Sequence, residues 1–250
     1  MQINPDITPP NISMDEIRQI TLRHSHEVRF FHVHSNNYEI QIVALKTVYF
    51  SDDFGDSRYF VEKLRDFVGG RLLEIGCGTG VVSIAFALEN KYDSNSQKEP
   101  HVAVDINPEA VKNTKINLLI NNLENQIVVR QGDVFSALND NEKFDCIFWN
   151  HPFHKGNADE DMIMRACFDP LFEGFEEYVR YGHAYLENGG KLLLGSGNFA
   201  DLDHMRIILA KHGCYLDLLD FIHRPFKATS GKLKTFNIYE IKRDRQKFSP

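Results

Sequence analysis

The run from Leu72 to Ala87, LLEIGCGTGVVSIAFA, constrains the fold of this chain more than any other segment. An extended apolar stretch leads into glycines at alternate positions, Gly76, Gly78 and Gly80, and an apolar helical run follows at once. A chain of this kind turns sharply at the end of a strand, brings bare backbone up to a ligand without Cβ interference, and opens a helix. The spacing is GxGxG. A dinucleotide fingerprint would read GxGxxG, but Val81 and Val82 follow the third glycine, and no GK[ST] ending is present. Three glycines after a strand serve several nucleotide ligands, so the ends of the following strands must narrow the choice.

From residue 70 onward, strand-like runs alternate with helical patterns, the signature of parallel βαβ units. The strands are RLLEIG, HVAVDI, QIVVRQ, FDCIFWN and KLLLGSG. Helices are predicted over 80–90, 108–122, 160–167 and 172–187, the last closed by Asn188-Gly189-Gly190 as a left-handed cap. A further helix over DLDHMRIILAKHG precedes two β-rich runs, CYLDLLDFIH and TFNIYEIKR. The expected class is therefore α/β: a Rossmann-like, seven-stranded, mostly parallel sheet with an antiparallel C-terminal hairpin and helices on both faces. Residues 1–60 are expected to form an extension, with a short helix over Met14–Thr21 capped by Ser13, then a hairpin from HEVRFFHV and YEIQIVAL. Residues 61–245 would form the main domain, with YDSNSQKEP at 92–100 as a loop.

A chain of 250 residues with 42% hydrophobic content can bury a sizeable core. Its longest apolar runs fall short of a bilayer span, and MQINPDITPP lacks a basic region followed by an apolar one. A cytoplasmic protein with no membrane partner is the expectation. Cys77, Cys146, Cys167 and Cys214 lie far apart without CxxC spacing, so they should be reduced and mostly buried. The net charge of −7 gives no overall basic excess for phosphate binding. The basic cluster HRPFKATSGKLKTFNIYEIKRDRQK reads as a solvated face or a local positive patch.

HVAVDINPEAV ends its strand at Asp105, whose carboxylate can accept from both hydroxyls of a ribose. VVRQGDVF places Asp133 after the third strand, where it can accept from an adenine amino group while apolar neighbours flank the ring. Ile106 and Val134 are counted with these two as cofactor-binding candidates. Glu74 either faces the ligand or holds the loop through backbone amides.

Together, LLEIGCGTG, AVDINPEAV and GDVF resemble the class I S-adenosylmethionine-dependent methyltransferases, in the expected order over about residues 70–200. The resemblance implies S-adenosylmethionine as cofactor. It places Glu74 to Gly80, including Gly76, Cys77 and Gly78, at the methionine part, Asp105 at the ribose and Asp133 at the adenine.

FDCIFWNHPFH supplies the methyl-acceptor candidates Asn150, His151, Pro152 and Phe153, and Asn150 also counts among the cofactor contacts. Methyltransferases acting on planar nitrogen carry Asn/Asp-Pro-Pro-aromatic here. An exocyclic amine or amide nitrogen has a delocalised lone pair and needs orientation. The Asn side-chain oxygen and the carbonyl of the next residue can accept its hydrogens while the aromatic ring stacks on the flat acceptor. His151 replaces the first proline, leaving the carbonyl available but freeing one φ angle, and Pro152 still holds His151 extended. With His154, Lys155 and Gly156 following, and VYFSDDFGDSRYFVEKL upstream, the chain most resembles the small-domain enzymes that methylate guanine amino groups in ribosomal RNA. The partner implied is an RNA. A protein glutamine, a small molecule, or a non-catalytic binding role for the same fold are the alternatives, and the oligomeric state is open.

Other residues carry weaker signals. His24, His26, His32 and His34 form two HxH pairs that would share one face of a single strand. Asp56 and Arg58 either close over the ligand or form a surface ion pair. Trp149 reads as core or pocket wall, and His154 as a substrate contact or a structural residue.

Overall fold

The computed structural model describes residues 13, 15, 18–19, 22, 28–35, 38–50, 56–67, 69–89, 99–156, 162–225 and 233–244. Its centre is a sheet of β3 (Leu72–Ile75), β4 (His101–Asp105), β5 (Ile127–Gln131), β6 (Phe144–Asn150), β7 (Leu186–Gly197), β8 (Cys214–Pro225) and β9 (Leu233–Arg243). These strands lie in the order β5-β4-β3-β6-β7-β9-β8. The first five pair in parallel. β9 runs antiparallel to both β7 and β8, forming the C-terminal hairpin that the sequence predicts. The chain steps outward from β3 to β5 and returns to β6 on the other side of β3. A crevice at the carboxyl ends of the strands follows from that reversal.

Alternation along the strands fills two cores, one on each face. Leu72, Ala103, Phe148 and Leu193 face one side, where they meet α1 (Asp56–Lys63), α2 (Val81–Glu89) and α3 (Pro108–Ile120). Leu73, Val102, Ile147 and Leu192 face the other, under α4 (Glu173–Tyr181) and α5 (Leu202–Lys211). Helices thus cover both faces, as expected. Cys77, Cys146 and Cys214 are buried, and all four cysteines are free.

The expected hairpin is present as β1 (Arg29–Ser35) and β2 (Tyr38–Ala44). Val33, Ile40, Ile42 and Ala44 pack into the same core as α2. The free edge of β2 is closed by a helix. Asn113 and Asn117 of α3 and its C-cap Asn121 recur at every fourth residue and so stack along one face. Their side-chain oxygens accept from the N–H of Leu45 (2.7 Å), Val43 (2.9 Å) and Gln41 (3.2 Å), and their amide nitrogens donate to the carbonyls of Val43 and Gln41. The three amides act toward β2 as a neighbouring strand would.

Three expectations differ from what is seen. The helix over 160–167 is a 3-10 turn, Met162–Ala166, with residues 157–161 outside the described set. The helix over 172–187 ends at Tyr181 and tightens into the 3-10 turn Gly182–Tyr185, because Gly182 packs directly on Leu192 and Leu186 already pairs with Phe144. Asn188-Gly189-Gly190 consequently forms an irregularity within β7, with Gly189 at φ +83, rather than a helix cap. The Met14–Thr21 helix and most of the 92–100 loop fall outside the described residues. Among those described, no helix is long and apolar enough to cross a membrane.

Candidate functional site

The carboxyl ends of β3, β4 and β6 open into one cleft of about 1330 Å³, counted out to its mouth. It is lined by Glu74 of β3 with Gly76, Cys77 and Gly78 of the glycine loop, Asp105 at the end of β4 with Ile106, Asp133 and Val134 after β5, and Asn150 at the end of β6 with His151 to Phe153. All sequence candidates except Gly80 therefore meet around one space.

The loop residues divide by task. Gly76 and Gly78 have φ of +64 and +55, and a Cβ on Gly76 would lie 2.8 Å from the indole nitrogen of Trp149. These two positions need glycine and face the cleft. Gly80 stands behind it, where a Cβ would strike Thr114 of α3 at 2.6 Å, so its role is the close approach of α2 and α3. Glu74 resolves toward loop support: its carboxyl accepts from both the backbone N–H (2.9 Å) and the hydroxyl of Ser83 in the first turn of α2. Burial pushes its pKa up to about 8, so at neutral pH it is mainly a neutral acid within that contact. The Cys77 thiol is likewise pushed well above its usual range by burial, which leaves it unreactive.

Asp105 ties the site together. Its two oxygens accept from the N–H of Gly78 (2.8 Å) and of Asn107 (2.9 Å), fixing the glycine loop against the start of α3. Each oxygen keeps a further lone pair for a diol. Burial lifts its pKa to about 6. Asp133 is exposed, and its N–H donates to Ser136 Oγ (2.7 Å), while the following Val134 is buried at φ +42. A positive φ is costly for a β-branched residue, and such strain tends to gather at ligand sites. The residues fit S-adenosylmethionine: a bare backbone cradle, a buried carboxylate between two strands, and an acid beside an apolar wall.

At the acceptor end, Asn150 donates from Nδ2 to Asp56 Oδ2 at 3.1 Å. A carboxylate offers only acceptors, so this contact turns Asn150 Oδ1 away from Asp56, and that oxygen is buried without a partner. Asp56 is only 4% exposed, which corrects its reading as half of a surface ion pair. The His151 side chain is buried in the core. It sits against Trp149, Phe172 and Phe175, with Nε2 2.9 Å from Asp169 Oδ2. Any part His151 plays toward an acceptor is thus through its backbone. Pro152 is buried, and Phe153 is partly buried with its ring edge-on to Phe199 at 4.9 Å. His154 is buried, with its pKa lowered to about 4 by burial, which makes it a neutral structural residue. Trp149 is pocket wall and core at once.

Sequence reasoning missed Tyr49, Phe50 and the Met162–Cys167 segment as walls, and Asp169 as a support. Nothing in their spacing marks them. His32 and His34 lie on the exposed face of β1, where His32 contacts Glu39 at 2.6 Å, while His24 and His26 lie outside the described residues. Among the described residues no group of three metal-ligating side chains forms.

Comparison with known proteins accords with this geometry. The chain is 29% identical over 84% of its length to ribosomal RNA small subunit methyltransferase C of Photorhabdus laumondii, covering 54% of that protein. It is 36% identical over 54% of its length to a putative protein N5-glutamine methyltransferase of Methanocaldococcus jannaschii, covering 66% of it. The chain spans about half the length of most of the curated relatives it matches. A putative methyltransferase solved with S-adenosylhomocysteine shares the fold at a TM-score of 0.57 and 18% identity, with 84% of this chain and 56% of that one covered. Residues 39–211 match the methyltransferase small domain, and the chain belongs to that family of class I methyltransferases, whose cofactor is S-adenosylmethionine.

Proposed function

We propose that this protein transfers the methyl group of S-adenosylmethionine to a planar amino or amide nitrogen, with an RNA guanine amine as the first acceptor class. The observation that carries the reading is Asn150 Oδ1, a buried acceptor without a partner, at the end of β6 beside the glycine loop. A buried polar atom left unpaired costs about 1–3 kcal/mol. A ligand N–H would remove that cost, and an acceptor amine supplies one.

The bound cofactor supplies an electrophilic methyl on a cationic sulfur. The chain's part is to hold the nitrogen in line and to exclude water. Asn150 Oδ1 takes one of the two amino hydrogens, and the resemblance assigns the other to the His151 carbonyl. Phe153 and Phe199 offer aromatic surface for a flat acceptor. Orientation of this kind supplies on the order of 7–11 kcal/mol in favourable systems.

The relative covering most of this chain is named for ribosomal RNA, which supports RNA first. The more identical but shorter match is named for protein glutamine, whose carboxamide presents the same planar nitrogen, and this is the second reading. Incubating the protein with tritiated methyl donor and separate RNA, protein and metabolite fractions decides between them. Label in RNA, at guanine, supports the first reading. Label confined to protein replaces it with the second, and label in none of the fractions contradicts both.

A further inference from the structure

Two acceptor oxygens, not one, are buried without partners at the acceptor end of the cleft: Oδ1 of Asn150 and Oδ1 of Asp56. Both residues line the cleft, and the contact between Asn150 Nδ2 and Asp56 Oδ2 at 3.1 Å joins them. An amino group carries two hydrogens, and two free acceptors held within one hydrogen-bonded pair of side chains offer a place for each.

We propose that Asp56 is a catalytic residue, whose free Oδ1, in place of the His151 carbonyl that the resemblance implies, receives one N–H of the methyl-acceptor nitrogen beside Asn150 and takes that proton once the methyl group has transferred. The inference rests on the methyl-transfer reading above. In the step, the nitrogen lone pair forms the new N–C bond while the S–C bond breaks, its electron pair remaining on sulfur as a thioether. The nitrogen then carries a positive charge. Its N–H bond breaks toward Asp56 Oδ1, the electron pair stays on nitrogen, and the neutral methylated product leaves a carboxylic acid that returns its proton to water. No further reactant is needed.

The surroundings suit a carboxylate that cycles between charged and neutral forms. Asp56 opens α1 and is 4% exposed. Burial raises its pKa, opposed by the Asn150 contact, by the nearby backbone N–H groups and by the charge of Lys234 on β9. A poorly solvated base accepts a proton more readily than a solvated carboxylate. The sequence leaves Asp56 open between closing over the ligand and a surface ion pair, and the contact to Asn150, 94 residues away, decides for the cleft.

Sinefungin provides a test that needs no knowledge of the acceptor. In this cofactor analogue a carbon bearing a primary amine replaces the sulfonium and its methyl, so an ammonium stands where the transferred methyl would be. Calorimetric dissociation constants for sinefungin and S-adenosylhomocysteine should be measured on the wild-type chain and on Asp56→Asn. The wild type should prefer sinefungin by about 10- to 100-fold, the range of a charge-assisted hydrogen bond. Asp56→Asn should lose most of that preference while its S-adenosylhomocysteine affinity stays within about twofold. An unchanged preference in the variant overturns the role of Asp56, and failure of the wild type to bind S-adenosylhomocysteine overturns the cofactor reading beneath it. Should Asp56→Asn not fold, the wild-type preference against pH serves instead. It should fall as Asp56 is protonated on acidification, and Asp105, which both ligands share, divides out of the ratio. A preference independent of pH down to the limit of stability contradicts the proposal.

Discussion

Nε2 of His151 lies 2.9 Å from Oδ2 of Asp169, and the same carboxylate accepts the N–H groups of Gly174 (3.1 Å) and Phe175 (2.8 Å). The loop after β6 is thereby hung from the first turn of α4. Burial lowers the His151 pKa, and although burial also acts to raise Asp169, its hydrogen bonds hold it below the usual carboxylate range. The pair is thus a neutral imidazole donating to a carboxylate. It restrains the backbone at His151, just before Pro152. The adjoining turn is strained, with Leu171 and Phe172 at φ +55 and +57, so the anchor also opposes relaxation.

Asp169→Ala would leave two backbone N–H groups and an imidazole buried without acceptors. We expect a loss of about 3 kcal/mol in urea unfolding. His151→Gln, which keeps a donor, should lose less than Asp169→Ala.

Glu74 gives a pH signature. Its folded pKa of about 8 lies above the unfolded carboxyl value, so the folded state retains a proton that the unfolded chain releases. The stability this contributes is full below the unfolded value and declines as pH rises toward 8. Glu74→Gln should remove that decline. Unfolding free energies at pH 5 and pH 8.5 should shift in favour of the variant on going to the higher pH, by an amount on the order of 4 kcal/mol.

Asp105, with its pKa raised to about 6, should govern cofactor affinity. A diol donates to the carboxylate and not to the acid, so binding favours the ionised form. The dissociation constant of S-adenosylhomocysteine should be level above pH 7 and rise by up to about tenfold per unit below pH 6. Asp105→Asn should bind more weakly and without that dependence.

The asparagine ladder separates burial from hydrogen bonding. Asn117 is fully buried and also donates to Thr79 O (2.9 Å), so Asn117→Ala should cost about 3 kcal/mol. Asn121 sits where water can reach Gln41, and Asn121→Ala should cost less than about 1 kcal/mol. Thermal unfolding of both variants checks the contrast.

The sheet was legible because its strands are local patterns: LLEI, HVAVD and IVVRQ alternate with helices at spacings that leave little choice of architecture. The places of Asp105 and Asp133 were legible for the same reason, since one ends β4 and the other follows β5, and both line the cleft. Supports that act across the chain were not. Asp56 reaches Asn150, Asp169 reaches His151 and Asn113 reaches Val43, all through pairings set by the finished fold. The asparagines did carry a pattern, at every fourth residue of α3, but helical periodicity is ordinarily searched for apolar residues. Glu74 was ambiguous because a carboxyl near a glycine loop can serve ligand or backbone, and only the two contacts from Ser83 decide it. The helix through residue 187 ended early because Leu186 is needed by β6, a demand invisible in local sequence.

The central claim is that Asn150 orients a nitrogen for methyl transfer. Methyl transfer from tritiated S-adenosylmethionine should be compared for the wild type and Asn150→Ala in whichever fraction takes up label, with S-adenosylhomocysteine affinity measured on both proteins. The account predicts a rate at least about 100-fold lower for the variant, with affinity within about threefold. Full transfer by Asn150→Ala would contradict it.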